Sequence, residues 1–218
     1  MKYRIQRFNA DFGFQVNEKN IYNAINALNT FLATLPPSLY KSVDFKTTGA
    51  LIGAIFCTKL VEEINGAIVN PIEKGYPDII PVSGLHASEE ELRNYPQGLE
   101  IKGTIGTLKN NMRLSAGQTR VNNLGGIAWQ AHHREGKILL GFIWDFVNQI
   151  DSFNYPAITA LYFTDELNTD DWGQISGTTG RNTKVTSMRK SGKQKMLKGN
   201  IMIIDDSVYI DRYTSLLG

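Results

Sequence analysis

Apolar residues recur at helical spacing across residues 18–35, EKNIYNAINALNTFLATL, where Ile21, Ile25, Leu28, Leu32 and Leu35 share one face. Asn17 stands where an N-cap belongs, and Pro36-Pro37 marks the end of that helix. A second helix is expected from about Thr48 to Val69. Its Leu51, Ile55, Phe56, Leu60, Val61, Ile64 and Ile68 cover much of the circumference, the pattern of a largely buried helix. After Pro71 the runs become shorter. DIIPV (78–82) reads as an apolar strand whose proline places it at an edge or a terminus. SEEELRNY (88–95) reads as a short acidic helix, and GLEIKGTIG (98–106) as an alternating strand bounded by glycine.

Residues 126–147 suggest a hairpin: GIAWQAHH, a turn at REGK, then ILLGFIWDFV, with Trp129 and Trp144 packing across it. AITALYFT (157–164) and NIMIIDDSVYI (200–210) complete the set, the last interrupted near Asp205-Asp206. Helices first and several strands after them predict a mixed α/β domain, a central mixed β-sheet flanked by helices. Neither an internal repeat nor a Gly/Ser/Pro linker divides the chain, so one domain over 1–218 is expected.

Composition adds little to this picture. The 218 residues are 42% hydrophobic and 20% charged, which suits a packed core and excludes a disordered chain. The lone Cys57 rules out an internal disulfide, and its apolar helical setting reads as a buried, inert thiol. The N-terminus has no signal-peptide run, and no apolar stretch reaches membrane-spanning length, so a soluble cytoplasmic protein is expected.

The net charge of +2 says little, but its distribution is uneven. Residues 180–199 carry Arg181, Lys184, Arg189, Lys190, Lys193, Lys195 and Lys198 and no acid. The run is also rich in residues that donate to phosphates and base edges, so it reads as a nucleic-acid-contacting loop or arm. Lys109, Arg113, Gln118, Arg120, Asn122 and Asn123 form a second polar segment able to approach a DNA backbone.

The chemistry concentrates in GYPDIIP and GLEIKGT. Asp78 closes a turn after Gly75, Tyr76 and Pro77, and Glu100 and Lys102 follow 22 and 24 residues later. The period of two puts Glu100 and Lys102 on one strand face, with Ile101 turned to the core. If the two strands meet, Asp78 joins them. Two carboxylates, with the Ile101 carbonyl as a further oxygen ligand, suit Mg²⁺, and the lysine can orient or deprotonate an attacking water. That combination fits phosphodiester hydrolysis. His132 and His133, adjacent in a strand, face opposite ways and do not share an ion. Asp145 reads as a structural acid.

Pro77, Asp78, Glu100, Ile101 and Lys102 together resemble the motif of the PD-(D/E)xK nuclease superfamily, the fold of most type II restriction endonucleases. The resemblance implies a restriction-endonuclease-like core and Mg²⁺ as cofactor, held by Asp78, Glu100 and Ile101. It further implies cleavage of double-stranded DNA at a short site by a homodimer, one active site per strand. On this reading residues 1–70 are an N-terminal helical part, 71–165 the catalytic sheet core, and 176–200 a basic DNA-contacting segment leading into the C-terminal strand. Many members add an acid from a preceding helix. Glu62 and Glu63 are both available, and Glu63 is preferred because it falls in register with Ile52, Phe56 and Leu60. A repair or junction-resolving nuclease of the same fold, or a non-catalytic DNA-binding module, are the alternatives.

Overall fold

The computed structural model describes residues 1–106, 129–131, 134–175 and 186–215; Lys109, Arg113, Gln118, Arg120, Asn122, Asn123, His132, His133, Arg181 and Lys184 lie outside them. The chain opens on three short strands, β1 (Tyr3–Ile5), β2 (Asn9–Asp11) and β3 (Gln15–Asn17). The expected first helix follows as α1 (Glu18–Leu32). Its cap is reciprocal: the Asn17 side chain accepts the N–H groups of Lys19 and Asn20, and Asn20 returns its own oxygen to the Asn17 N–H. Pro37, expected to stop that helix, instead starts a short one, α2 (Pro37–Ser42), in a first-turn position where a missing N–H costs nothing.

The second helix, α3 (Phe45–Glu62), is capped by Asp44, which accepts the Thr47 N–H at 2.7 Å. It ends well short of Val69. Gly66 has φ +81°, and Ala67–Val69 form a strand, β4, paired antiparallel with β5 (Ile79–Pro81). Apolar residues at 64, 67 and 68 satisfy a helix and a strand equally over so short a run, and the glycine decides between them. A short helix α4 (Glu89–Leu92), capped by Ser88, leads to β6 (Ile101–Ile105).

The expected 126–147 hairpin does not form. Its first half contains β7 (Gln130–Ala131), and its second half becomes the twelve-residue β8 (Leu139–Ile150). The partner of β8 is the equally long β9 (Phe153–Thr164), joined through the two residues Asp151 and Ser152. The strand β7 pairs instead with β10 (Thr186–Ser187), far along the chain. The remaining elements are α5 (Lys190–Lys198), β11 (Asn200–Ile204) and α6 (Ser207–Ser215). The expected interruption at Asp205-Asp206 is thus a strand end followed by a helix.

The central sheet has five strands in the order β1-β11-β9-β8-β6. All neighbours are antiparallel except β6 and β8, which run parallel, so the sheet is mixed and β6 is an edge. One face packs on α1 and α3, where Ile25, Leu28, Ile52, Phe56, Phe142 and Trp144 are buried together. The other carries α5 and α6, with Trp129, Tyr162, Met196, Leu197 and Tyr213. Trp129 and Trp144 therefore lie in separate cores and do not pack on one another as expected. Asp145, read as structural, is buried and accepts the Tyr209 hydroxyl at 2.6 Å, tying α6 to the sheet. Among the described residues no helix is long and apolar enough to cross a membrane.

Candidate active site

Asp78, Glu100 and Lys102 meet where the β4–β5 hairpin touches the start of β6. The two segments join through one antiparallel bridge, Ile79 to Leu99, with backbone bonds of 3.1 and 2.8 Å. Gly98 makes this approach possible: its φ is +144°, and a β-carbon there would stand 2.3 Å from the Ile79 carbonyl oxygen. Beyond the bridge, the side chains complete the connection. Asp78 Oδ2 accepts the Ile101 N–H at 2.8 Å, and Glu100 Oε2 accepts the Asp78 N–H at 3.2 Å. Each carboxylate thus holds the backbone beside the other.

Lys102 sits over this link. Its Nζ forms an ion pair with Glu100 Oε1, lies 3.5 Å from Asp78 Oδ2 and donates to the Ile101 carbonyl at 3.2 Å. The three oxygens expected to bind a cation are therefore already gathered around one cationic atom. Ile101 is buried with its side chain in the core, as the alternation predicted. Glu100 is buried as well, at 6% exposure, which the strand pattern did not indicate. Burial, then the neighbouring Asp78 carboxylate, pushes its acid up to about 7 against the opposing pull of Lys102. Burial acts against the Lys102 ammonium too, but the Glu100 and Asp78 carboxylates together outweigh it and hold that pKa above the ordinary lysine range.

The cluster forms a wall between two clefts. Asp78, Ile101 and Lys102 line one of about 720 Å³, whose far side is the small-residue face of α3 at Gly49, Gly53, Ala54 and Cys57. Glu100 lines the other, about 1030 Å³, with Tyr76, Pro77, Tyr95, Arg134 and Lys137. Cys57 is a buried free thiol, and burial followed by the Asp78 charge raises its pKa, so the thiolate is disfavoured. Tyr76 lies close enough to feel the cluster: burial and the Glu100 carboxylate push its phenol up to about 12.

Glu63 does not join the cluster. It is the C-cap of α3, exposed, with its carboxylate accepting from Asn23 of α1 at 2.8 Å and its carbonyl from Asn20 at 2.7 Å. The helical register that pointed it inward ends one residue earlier. Glu62 is exposed and paired with Lys59. Among the described residues, no group of three His, Cys, Asp or Glu side chains gathers to hold a metal. The donor set at this site is two carboxylates and a carbonyl.

Of the basic run, Arg189, Lys190, Lys193, Lys195 and Lys198 are described, and they cap or lie in helix α5 where a loop or arm was expected. Arg189 and Lys190 are exposed at the start of α5, whose Gly192, Met196 and Leu197 are buried against the sheet. Arg189 donates to the Asp170 carbonyl at 3.5 Å, next to Thr169 on the rim of the larger cleft. Lys195 departs from a DNA-facing role: it pairs at 2.7 Å with the buried Asp171.

Sequence reasoning passed over Asn70. Its buried side chain donates to the carbonyls of Pro77 at 3.1 Å and Leu92 at 2.9 Å, and its N–H closes on Asp78 O at 2.8 Å. It is the internal support of the loop that presents Asp78. The one available signal, an asparagine before a proline and nine residues ahead of the apolar Ile79-Ile80-Pro81, marks a turn and no more. Comparison with known protein families, curated proteins and solved structures finds no match to this chain.

Proposed function

We propose that this chain is a Mg²⁺-dependent endonuclease with a restriction-endonuclease-like core, cleaving double-stranded DNA at a short specific site as a homodimer. The observation that carries the reading is the position of Lys102 Nζ, surrounded by Asp78 Oδ2, Glu100 Oε1 and the Ile101 carbonyl. Three hard oxygen donors, two of them carboxylates, converge on a single positive charge beside an open cleft. That donor set fits Mg²⁺, which takes oxygen ligands and keeps part of its water shell. The Pro77-Asp78 turn and the Glu100-Ile101-Lys102 strand supply the PD-(D/E)xK residues in the order the superfamily requires.

Asp78, Glu100 and Ile101 would hold the cation, which supplies charge neutralisation at the scissile phosphate and a more acidic bound water. The remaining work falls to the chain itself. The Ile101 N–H fixes Asp78, and the Asp78 N–H fixes Glu100, so neither carboxylate needs to reorganise on binding. Lys102, released from the carboxylates, turns its ammonium towards the cleft, where it orients the attacking water and stabilises charge on the phosphate oxygens. Arg189, beside the rim of the larger cleft, favours contact with the sugar–phosphate backbone.

Digestion of plasmid or phage DNA tests this reading. Discrete fragments are expected with Mg²⁺ and none with EDTA or with Asp78→Ala. Smeared products or structure-specific nicks would move the reading to a repair or junction-resolving nuclease. Tight DNA binding without any cleavage would leave a non-catalytic DNA-binding protein.

A further inference from the structure

The loop between β4 and β5 carries more than Asp78. It runs from Asn70 to Asp78, pinned at its neck by the Asn70 N–H on the Asp78 carbonyl at 2.8 Å. Its interior is filled by the Asn70 amide, which also accepts the Ile72 N–H at 3.4 Å. The winding is tight: a β-carbon on Gly75 would stand 2.2 Å from Asn70 Oδ1. At the tip, Lys74 adopts φ +62°, a left-handed conformation that favours glycine or asparagine over any long side chain. Lys74 is exposed, and it lines the same cleft as Asp78 and Lys102.

The charge along that cleft is one-sided. Asp78 is the only acid among its described lining residues, against Lys46, Lys74 and Lys102. Lys102 is matched by its carboxylates, and Lys46 stands close enough to the Asp44 carboxylate at the start of α3 to help lower its pKa. Among the described residues no ion pair involves Lys74. An ammonium with no ion-pair partner among the described residues is therefore carried on a loop backbone braced by Asn70, four residues from Asp78, at the lining of a cleft walled by small α3 residues. Pre-ordering of this kind lowers the entropy lost when a ligand is engaged.

We propose that Lys74 is a substrate-binding residue that contacts a phosphodiester group of DNA flanking the one at Asp78 and Lys102, in the cleft between α3 and β6. The inference rests on the nuclease reading and names where its substrate strand lies. Each phosphate neutralised by a lysine contributes about one unit to the salt dependence of binding. The test measures fluorescence anisotropy of a labelled random-sequence DNA duplex, with Ca²⁺ in place of Mg²⁺, as a function of NaCl concentration. Lys74→Gln is expected to weaken binding about five- to tenfold at 0.1 M salt and to reduce the slope of log K against log[NaCl] by about one unit. Lys74→Arg should restore the slope. Lys74→Gly should lose it while keeping or raising the melting temperature, because glycine relieves the left-handed backbone, and this separates lost contact from lost fold. Wild-type affinity and slope in Lys74→Gln would overturn the assignment. No duplex binding by the wild-type chain would instead bring down the nuclease reading beneath it.

Discussion

The Asp78 carboxylate accepts the backbone N–H of Ile101 at 2.8 Å while the Glu100 carboxylate, one residue before Ile101, accepts the backbone N–H of Asp78. The two acids that would bind a cation also lock the loop to the strand. Asp78→Asn keeps an oxygen for the Ile101 N–H but halves the charge of the donor set. It should cost less than about 1 kcal/mol of stability and reduce DNA cleavage by at least about a hundredfold. Asp78→Ala leaves that N–H without its partner and should cost about 1–3 kcal/mol. Thermal melts beside plasmid digestion separate the two effects, and full cleavage by either variant would remove Asp78 from the site.

On the proposed reading, Lys102 and a divalent cation would compete for the same three oxygens. Lys102→Met should therefore increase the rise in melting temperature produced by Ca²⁺ or Mg²⁺, because nothing has to be displaced, while cleavage is lost. Without added cation the same variant should melt lower than wild type, since Asp78 and Glu100 are left facing each other with no counter-charge. A cation response equal to that of the wild type would count against the shared position.

Glu100 makes the metal-free protein sensitive to pH. Its folded-state acid is raised to about 7 from an ordinary 4.5, by burial first and the Asp78 charge second. The folded protein thus binds more protons than the unfolded chain between those values, and stability falls as pH rises through that window. The limiting slope is about 1.4 kcal/mol per pH unit. Glu100→Gln should flatten the dependence of the melting temperature between pH 5 and about 7, measured in EDTA. An unchanged profile would show that other groups set it.

The Tyr209–Asp145 bond tests the far side of the sheet independently of the chemistry. Tyr209→Phe removes the 2.6 Å donor from a buried carboxylate and should cost about 1–3 kcal/mol. Cleavage at low temperature should be unchanged, because the bond lies with α6 on the sheet face opposite α3 and the smaller cleft. Loss of activity in a folded Tyr209→Phe protein would extend the functional region beyond the two clefts.

Gly98→Ala places a β-carbon against the Ile79 carbonyl at a backbone angle that disfavours any side chain. The bridge that brings Asp78 to Glu100 should loosen, with a loss of about 1–3 kcal/mol and a fall in cation affinity. Calorimetric titration with Mg²⁺ checks the second effect, and wild-type affinity would show that the bridge does not position the site.

Local rules acting on neighbouring residues were enough to place α1 with its Asn17 cap, the strand around Ile101 and the common face of Glu100 and Lys102, because side-chain periodicity and capping depend on residues a few positions apart. The five-residue motif was legible for the same reason. Which strands pair depended on distant matches that no local pattern carries: β8 takes β9 as its partner, and β7 takes β10. The end of α3 turned on Gly66 and on the β4–β5 pairing, and that boundary removed Glu63 from the cluster by giving it to Asn23. The burial of Glu100, the wedge of Lys102 among three oxygens and the Asn70-filled loop that lifts Lys74 over the cleft are tertiary facts. They depend on contacts such as Asn70 with Leu92 and Asp78 with Glu100, Ile101 and Lys102, more than twenty residues apart, which only the folded chain brings together.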